Sequence, residues 1–328
     1  MRIAVIGLGL IGGSLLRALA AAGHEVTGHD AEPATREMAR AAGFRVLDTA
    51  AGAVAGTEVA VTAVPLPVLP RVLADLAGYD GLVTDVTSVK GPVRALAGEH
   101  RVRRFVGGHP MAGTEASGFA AADPELFAGC VWVLCVEPHD TDLDDWLTLA
   151  RLYTELGARV LPITAAEHDN AVAAISHVPH LLAAALAWRL AGSPLNRALA
   201  AGSFRDGSRV AATRPELTAA MCGGNAGEVG RELGHVLHDL EQLRVVLDAR
   251  DPVAALLDYL RPAAGLRRAW PPGPGLPERL PWPPAPAPDR AAGAAHTLLA
   301  LGRAGGWVTA VGAGEIRIMR PETDRYPA

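Results

Sequence analysis

The spacing of hydrophobic positions along this chain changes at about residue 163. Before that point, short runs of apolar, often β-branched residues alternate with stretches of helical spacing. This alternation is typical of strands and helices in an α/β fold. Residues 2–6, 59–64 and 159–163 are examples of predicted buried strands. The pattern therefore predicts a doubly wound sheet, with helices on both faces, over residues 1–163.

A glycine-rich turn joins the first predicted strand to the first predicted helix. Residues 7–14, GLGLIGGS, fit the pattern G-x-G-x-x-G. The first glycine allows a tight turn, the second lets the backbone approach a pyrophosphate, and the third lets helix and strand pack closely. Free N–H groups at the start of the helix favour the phosphates. This frame predicts a Rossmann dinucleotide-binding domain, with cofactor contacts at Gly7, Gly9, Leu10, Ile11, Gly12 and, after a later strand, Val64.

An acidic residue ends the second predicted strand. Asp30 lies 18 residues beyond Gly12, where a carboxylate can accept hydrogen bonds from the ribose 2′-hydroxyl of a dinucleotide. The same carboxylate would repel a 2′-phosphate, and the nearest following arginine, Arg36, is six residues further on. The sequence therefore favours NAD over NADP as the cofactor.

Beyond residue 163 the spacing predicts only helices until a proline-rich stretch begins. Residues 165–190 form one long, mostly apolar predicted helix, in which Pro179 should introduce a kink or remove a backbone hydrogen bond. Leucine-rich amphipathic helices are predicted at 228–247 and 252–266. We expect this helical domain to carry part of the substrate site and a subunit contact.

The C-terminal part of the chain has a different character. Residues 270–289 contain nine prolines, which predicts a stiff, extended linker. A helix and two strands are predicted beyond it. The predicted division is a dinucleotide-binding domain at 1–163, a helical substrate and dimerisation domain at 164–269, the linker at 270–289, and a short α+β tail at 290–328.

Composition narrows the classes of function. The chain has 328 residues, a formal net charge of -5 and no basic block, which argues against partners such as nucleic acid or an anionic membrane. Its three cysteines argue against a disulfide framework and for a reducing compartment. The apolar N-terminus reads as a buried strand rather than a signal peptide, and residues 181–190 are too short to span a membrane. We therefore expect a cytoplasmic protein.

A polar stretch carries the candidate chemistry. Residues 107–115, GGHPMAGTE, follow a predicted strand, and Pro110 excludes a regular helix, so we predict a loop at the carboxyl edge of the sheet, where ligands bind. His109 on this loop could take or share a proton near neutral pH. Ser88 follows another strand end at the same edge. Taken alone, the loop could equally be a turn with an incidental histidine, and Ser88 a turn residue or helix cap.

Five ordered motifs within residues 1–265 resemble those of the prephenate/arogenate dehydrogenase (TyrA) family. Besides the glycine-rich turn they are residues 85–91 (DVTSVKG), 108–118 (GHPMAGTEASG), 176–180 (SHVPH) and 204–209 (FRDGSR). The resemblance implies oxidative decarboxylation of a cyclohexadienol with NAD or NADP. It also implies a Rossmann domain followed by a helical dimerisation domain, and hence a homodimer. Prephenate conversion to 4-hydroxyphenylpyruvate, in tyrosine biosynthesis, is the expected reaction.

The resemblance also assigns roles to residues of this chain. His109 matches the catalytic histidine that hydrogen-bonds the C4 hydroxyl of the substrate, and Ser88 matches a serine that orients both groups. Arg209 matches an arginine that binds a substrate carboxylate, which suits a dianionic substrate because guanidinium can bind in a bidentate way. The remaining matched positions of the substrate pocket are His180, Thr114, Glu115, Asp206 and Ser176.

Several alternatives stay open at this point. Prephenate, arogenate and 4-amino-4-deoxyprephenate differ by a few atoms, and the motifs do not separate them. A β-hydroxyacid dehydrogenase would share the fold, but its expected catalytic lysine on a long helix cannot be placed. A non-catalytic NAD-binding regulator is a reading from another class, and the filled positions Ser88, His109 and Arg209 argue against it.

Two further features have less definite interpretations. His177 and His180 share the i, i+3 spacing of some metal sites, but no carboxylate pair accompanies them, so we predict no metal and interpret His177 as a hydrogen-bonded core residue. The tail is too short for a complete ACT domain, a regulatory module of some family members. A degenerate remnant of that module and an arm packed on the partner subunit both remain possible.

Overall fold

A parallel sheet forms the N-terminal half of the fold in the computed structural model, which describes residues 1–113, 116–271, 273–282 and 288–322, without the side chains of 288–292. Its strand order is β3-β2-β1-β4-β5-β6. The order reverses between β1 and β4, which opens a crevice at the carboxyl ends of these strands. The strands are β1 (Arg2–Ile6), β2 (Glu25–His29), β3 (Arg45–Val46), β4 (Val59–Thr62), β5 (Leu82–Asp85) and β6 (Phe105–Val106).

Helices cover this sheet, and its central strands are buried. All residues of β4 and β5 are buried, as expected for parallel strands covered on both faces. The turn after β1 depends on glycine: Gly7 has φ +97°, and a Cβ on Gly12 would lie 1.8 Å from the Gly7 carbonyl oxygen. The helices are α1 (Leu10–Ala21), α2 (Pro33–Ala41), α3 (Ala50–Val54), α4 (Leu69–Asp75) and α5 (Gly91–Glu99).

A second, mixed sheet follows, with strand order β10-β12-β11-β9-β8-β7. Only β8 and β9 run parallel; the other neighbours are antiparallel. The single doubly wound sheet that we predicted through residue 163 is therefore wrong in this region, because the chain leaves the first sheet after β6 and pairs with β8 instead. The strands are β7 (Gly108–Pro110), β8 (Val131–Cys135), β9 (Arg159–Ile163), β10 (Leu276–Pro281), β11 (Trp307–Val311) and β12 (Glu315–Arg320). Helix α6 (Leu143–Glu155) connects β8 to β9.

The C-terminal segment completes this second sheet. Part of the stretch predicted as a linker is strand β10, paired with β12 over its whole length. A helix from Pro288 to Arg303 precedes β11, and its Leu298, Leu299 and Leu301 are buried in the same core as Trp132 and Trp146. The tail thus packs on the second sheet of its own chain, and its interpretation as a degenerate remnant of an ACT domain or as an arm on the partner subunit stays a prediction.

A helical region lies between β9 and β10. It begins with α7 (Ala165–Val172), a π-helical turn (Ala173–His177) and α8 (Val178–Ala187), which run on without a break. Pro179 stands in the first turn of α8, directly after the π-helical turn, so the irregularity predicted at this proline lies just before it. The other helices are α9 (Pro194–Leu199), α10 (Gly202–Ser208), α11 (Pro215–Gly224), α12 (Ala226–Leu247) and α13 (Pro252–Ala269).

The run Ala165–Leu190 is long and apolar enough to cross a membrane by length and composition alone, with a mean hydropathy of 1.5 in its most apolar window. However, it contains three buried polar side chains, His168, Asp169 and His177. All three form hydrogen bonds to residues on other elements. In the fold, this run is therefore hydrogen-bonded through its polar side chains to Lys90, His109 and Asn225.

Candidate active site

The glycine-rich turn and Asp30 form a cradle at the carboxyl end of β1. Gly9 is exposed, and a Cβ there would meet no atom within 4 Å, so the turn is open to an approaching phosphate group. The Asp30 carboxylate accepts hydrogen bonds from the N–H groups of Leu8 (2.7 Å) and Glu32 (2.9 Å), which fix it beside this turn. Arg36 donates to the Asp30 carbonyl oxygen at 2.8 Å. The residues present thus fit a dinucleotide.

The other predicted cofactor contacts surround the same turn. Gly7 and Gly12 form the turn itself, and Leu10 and Ile11 begin α1. The side chain of Val64, just after β4, lies against Gly7, since a Cβ on Gly7 would be 2.9 Å from its γ carbon. The five predicted positions therefore lie together around the switch between β1 and β4.

His109 lies on a strand and not on the predicted loop. Residues 108–110 pair with β8 in antiparallel register, with His109 opposite Val133. The prediction of a loop was wrong because the polarity of this stretch does not prevent pairing at a sheet edge, where a proline such as Pro110 is tolerated. The backbone of His109 is consequently held by β8, and its ring faces residues from α7.

A buried ion pair fixes the position of strand β7. Lys90 and Asp85 form a salt bridge with side-chain exposures of 1% and 0%. Lys90 Nζ also donates to the Gly108 carbonyl oxygen at 2.6 Å, and Asp85 accepts from the Gly108 N–H at 3.0 Å. The N–H of Thr87 supplies a further bond to Asp85 at 2.9 Å. Both peptide groups of Gly108, the residue before His109, are therefore fixed by one ion pair.

Two residues that the sequence analysis missed contact His109 directly or indirectly. His109 Nδ1 lies 2.9 Å from His168 Nε2, and His168 Nδ1 lies 2.7 Å from Asp169 Oδ1. Asp169 also accepts the N–H groups of Lys90 and Gly91, both at 2.7 Å. The signal available in the sequence was an adjacent His–Asp pair just after the last predicted strand of the first domain, at the same edge of the sheet.

Hydrogen bonds at the N-terminus of α7 fix the positions of His168 and Asp169. Thr164 and Glu167 form a capping box, so that the side chain of each accepts a bond from the backbone N–H of the other. Asn225, at the start of α12, donates to the Asp169 carbonyl oxygen at 2.7 Å. The pair is thus fixed both at the helix terminus and from the neighbouring helix.

The electrostatics keep the two histidines neutral. Burial, and then the nearby His168, Lys90 and His177, hold the pKa of His109 well below its ordinary 6.5. Burial also lowers the pKa of His168, against the opposing effect of Asp169. For Asp169, burial raises the pKa, but hydrogen bonds from His168 and from the N–H groups of Lys90 and Gly91 outweigh it, and the net pKa is lowered. At neutral pH this gives two neutral rings and one carboxylate.

His177 lies deeper than His180 and has a different environment. Its Nδ1 is 3.2 Å from the side-chain nitrogen of Asn225, and burial lowers its pKa to about 4. This agrees with its interpretation as a hydrogen-bonded core residue. His180 Nδ1 donates to the Ser176 carbonyl oxygen at 2.8 Å, which leaves Nε2 of the His180 ring directed elsewhere. Within the described ranges, no group of three or more potential ligands could hold a metal ion.

The other predicted site residues form no described contact with His109. Ser88 is partly exposed in the turn between Asp85 and Lys90, and in the described part of the chain its hydroxyl makes no hydrogen bond. Arg209 is exposed at the end of α10, in a turn that packs against α8, and Asp206 is exposed on α10. Thr114 and Glu115 lie outside the described residues. The structure thus joins His109 to His168 and Asp169, and leaves the roles of the remaining residues as predictions.

The nucleotide cradle on the first sheet, and a neutral histidine on the strand that Asp85 and Lys90 hold beside that sheet, define a dinucleotide-dependent oxidoreductase. The chain belongs to the prephenate dehydrogenase family: residues 15–162 match the family's nucleotide-binding domain, and residues 164–261 match its dimerization domain. This confirms the family, the fold class and the enzyme class that the motifs predicted.

Known proteins of the family are similar over most of the chain. Cyclohexadienyl dehydrogenase of Zymomonas mobilis is 34% identical over 263 residues, which are 76% of this chain and 89% of that protein. A crystal structure of a putative prephenate dehydrogenase from Corynebacterium glutamicum is 33% identical with a TM-score of 0.81, covering 92% of this chain and 97% of that one. The crystal structure of prephenate dehydrogenase from Aquifex aeolicus, in complex with hydroxyphenyl propionate and NAD+, is 26% identical with a TM-score of 0.76. The match covers 82% of this chain and 97% of that one.

Proposed function

We propose that this protein is a cytoplasmic, NAD-dependent dehydrogenase that converts prephenate to 4-hydroxyphenylpyruvate with loss of CO2, a step of tyrosine biosynthesis. The observation that carries this proposal is the neutral imidazole of His109 on strand β7, which a hydrogen bond from Gly108 to Asp85 joins to the carboxyl end of β5 in the dinucleotide-binding sheet. The names of the similar proteins support a cyclohexadienyl substrate, and the Aquifex complex supports NAD.

The chain's own residues provide a base and a binding frame. Bound on the glycine-rich turn, NAD supplies the hydride acceptor. As hydride leaves C4 of the substrate, His109 Nε2 takes the proton of the C4 hydroxyl, which becomes a carbonyl-like and finally phenolic oxygen. The bond from the ring to its carboxylate breaks, CO2 departs, and the two electrons of that bond complete the aromatic ring. The C4 oxygen is then a phenolate, to which His109 returns the proton, so that the phenol forms and His109 is neutral again. A neutral His109 can accept this proton, whereas an already protonated ring cannot.

Substrate recognition requires cationic and polar groups opposite the two substrate carboxylates. Arg209 is our candidate for one carboxylate, because its guanidinium forms a planar fork that matches two carboxylate oxygens. The family resemblance places Ser88 beside the C4 hydroxyl, and places His180, Ser176, Thr114, Glu115 and Asp206 around the rest of the pocket. The KM and kcat of variants at these positions, measured by the absorbance of NADH, test each of these roles.

A substrate comparison tests the proposed function. Purified enzyme with NAD should form NADH with prephenate, and its kcat/KM for prephenate should exceed those for arogenate and 4-amino-4-deoxyprephenate. A higher kcat/KM with either alternative would reassign the substrate within the family. NADH formation with none of the three would contradict the proposal and favour a non-catalytic NAD-binding protein, provided that the protein still binds NAD.

The cofactor preference depends on the fixed carboxylate of Asp30. We expect kcat/KM to favour NAD over NADP by at least about tenfold, or ~1.4 kcal/mol, because a 2′-phosphate would meet this charge. Asp30→Asn should reduce the ratio. Glu58→Gln, at the opposite end of β4, removes an equal charge away from the cradle and should leave the ratio unchanged. A wild-type ratio near one, or a preference for NADP, would contradict the assignment.

The helical region should form a homodimer, since the family model matches it as a dimerization domain. Large apolar side chains of α12 and α13 are exposed, among them Leu237 at 56% and Val253 at 77%. Burying them across a two-fold axis would remove them from water. Light scattering should give a mass of about twice 34.0 kDa.

A pair of variants locates this interface. Leu237→Asp places a charge on α12 and should shift the mass toward the monomer. Met38→Asp makes the same kind of change at an exposed apolar position of α2, on the nucleotide-binding domain, and should leave the dimer intact. A wild-type monomer at micromolar concentration would contradict the expectation.

A further inference from the structure

A chain of three side chains ends at the candidate base. His109 Nδ1 is within hydrogen-bond distance of His168 Nε2, at 2.9 Å, and His168 Nδ1 is within hydrogen-bond distance of Asp169 Oδ1, at 2.7 Å. Each ring uses a different nitrogen toward its neighbour. Because a neutral imidazole carries its proton on only one of its two nitrogens, the direction of these two bonds decides which nitrogen of His109 is free.

Asp169 fixes that direction. Its two carboxylate oxygens accept backbone N–H groups, Oδ1 from Lys90 and Oδ2 from Gly91, both at 2.7 Å. A backbone N–H can only donate, so both oxygens act as acceptors. These bonds, together with His168, outweigh burial and hold the pKa of Asp169 below its ordinary 3.8, so the carboxyl group is ionised at neutral pH. The third bond at Asp169, on Oδ1, must therefore also be donated to it. It follows that His168 carries its proton on Nδ1.

The tautomer of His168 then decides which histidine donates the bond between His168 and His109. Neutral His168, with its proton on Nδ1, presents a lone pair at Nε2. The bond between the two histidines must consequently be donated by His109, which carries its proton on Nδ1. His109 Nε2 is left with a lone pair, on the side of the ring away from α7. Only this tautomer can accept a proton at Nε2.

We propose that His168 and Asp169 are positioning residues that hold His109 in the Nδ1–H tautomer and present its Nε2 as the base. The consequence for rate depends on the proposed function, whereas the tautomer itself does not. The same logic operates in the Ser-His-Asp triad, where a residue that imposes the wrong histidine tautomer leaves the geometry intact and lowers kcat about 10⁴-fold.

The surrounding structure supports a fixed rather than an adaptable arrangement. The capping box of Thr164 and Glu167 locks the first turn of α7, and Asn225 holds the Asp169 carbonyl oxygen at 2.7 Å. On the other side, the backbone of His109 is paired with β8, and the preceding residue is clamped by the ion pair of Lys90 and Asp85. Both ends of the hydrogen-bonded chain are therefore anchored by separate elements.

Two substitutions at His168 separate this role from simple packing. His168→Leu fills the site but offers no acceptor, so kcat should fall by about 10²–10⁴-fold, while KM for NAD and substrate changes only a few-fold. His168→Gln places an amide oxygen near the position of Nε2, can still accept from His109, and should keep kcat within about tenfold of wild type. In the background of His109→Asn, His168→Leu should cause little further loss, because the two residues act as a unit.

Nitrogen NMR of the ¹⁵N-histidine-labelled protein, without substrate, tests the tautomer itself. We expect a protonated, pyrrole-type Nδ1 and an unprotonated Nε2 for both His109 and His168. The signals are assigned by their disappearance in His109→Asn and His168→Gln. A protonated Nε2 on wild-type His109 would overturn the proposal, as would a folded His168→Leu variant with kcat within about threefold of wild type. If no substrate reacts but both rings show Nδ1–H, the proposed function fails and the positioning chain stands.

Discussion

His109→Asn should lower kcat by about 10²–10⁴-fold while substrate still binds, because asparagine keeps a hydrogen-bonding group but cannot act as a base. The ring it replaces is held neutral by burial and bonded to His168, so the substitution removes a base that is ready at neutral pH. Steady-state NADH formation with prephenate measures kcat and KM together. Circular dichroism and NAD binding of the variant show whether the fold and the nucleotide cradle are intact.

Arg209→Ala provides the matched contrast to this variant. It removes our candidate partner of a substrate carboxylate but no proton acceptor, so its main effect should be on KM. Since Arg209 is exposed, we expect an increase of at least about tenfold rather than the larger cost of a fully desolvated pair. Near-normal turnover in His109→Asn, or an unchanged KM in Arg209→Ala, would show that the residue concerned has been given the wrong role.

Lys90→Met should lower the free energy of unfolding by about 3–5 kcal/mol, because it leaves the carboxylate of Asp85 buried without its cation. The substitution also removes the bond from Lys90 Nζ to the Gly108 carbonyl oxygen, so the strand that carries His109 loses one of its two clamps. We therefore expect reduced kcat in the fraction that remains folded. Chemical denaturation, followed by circular dichroism, gives the free energy.

Two further variants separate the cost of leaving a buried charge unpaired from the smaller cost of losing an exposed ion pair. Arg103→Met breaks an exposed ion pair with Asp80 and should cost less than about 1 kcal/mol. Adding Asp85→Asn to Lys90→Met removes the unpaired charge, so the double variant should be more stable than the sum of the two single changes. A Lys90→Met protein as stable as Arg103→Met would show that the ion pair does not hold this strand.

The local parts of the fold could be predicted from the sequence. The turn from β1 to α1 depends on Gly7 and Gly12, whose need for glycine arises from contacts close in the chain or in the adjacent strand. The same is true of β9, β11 and the long helical run that begins at Ala165, because their hydrophobic spacing reflects their own burial. Asp30 could be placed because its distance from the glycine-rich turn is characteristic of the fold.

The non-local parts could not be predicted in the same way. Polarity at residues 107–113 suggested a loop, but the partner strand β8 and the ion pair of Lys90 with Asp85 stabilise an extended edge strand there. Hydrophobic spacing predicted β9 as a strand and gave no information on which sheet it joins. The contact between His109 and His168 joins residues 59 positions apart, so only the folded chain reveals it.

The tail illustrates the same limit at larger scale. Its helix and two strands were predictable, whereas their location against β9 depends on partners far away in sequence. Prolines at 277 and 281 suggested an unpaired linker, yet β10 lies at the edge of the second sheet, where one side of the strand needs no partner. Composition alone cannot separate an edge strand of this kind from a linker.

The pH dependence of kcat/KM for prephenate, measured with saturating NAD, tests most directly the claim that a neutral His109 is the base. Burial lowers the pKa of His109 below 6.5, so the ring is unprotonated throughout the range above 6.5. We predict a constant kcat/KM as the pH falls from about 7 to 6.5, and a loss of activity only at lower pH, as the pH falls through the lowered pKa. An acid limb at or above pH 6.5, or the same limb in the residual activity of His109→Asn, would contradict the account.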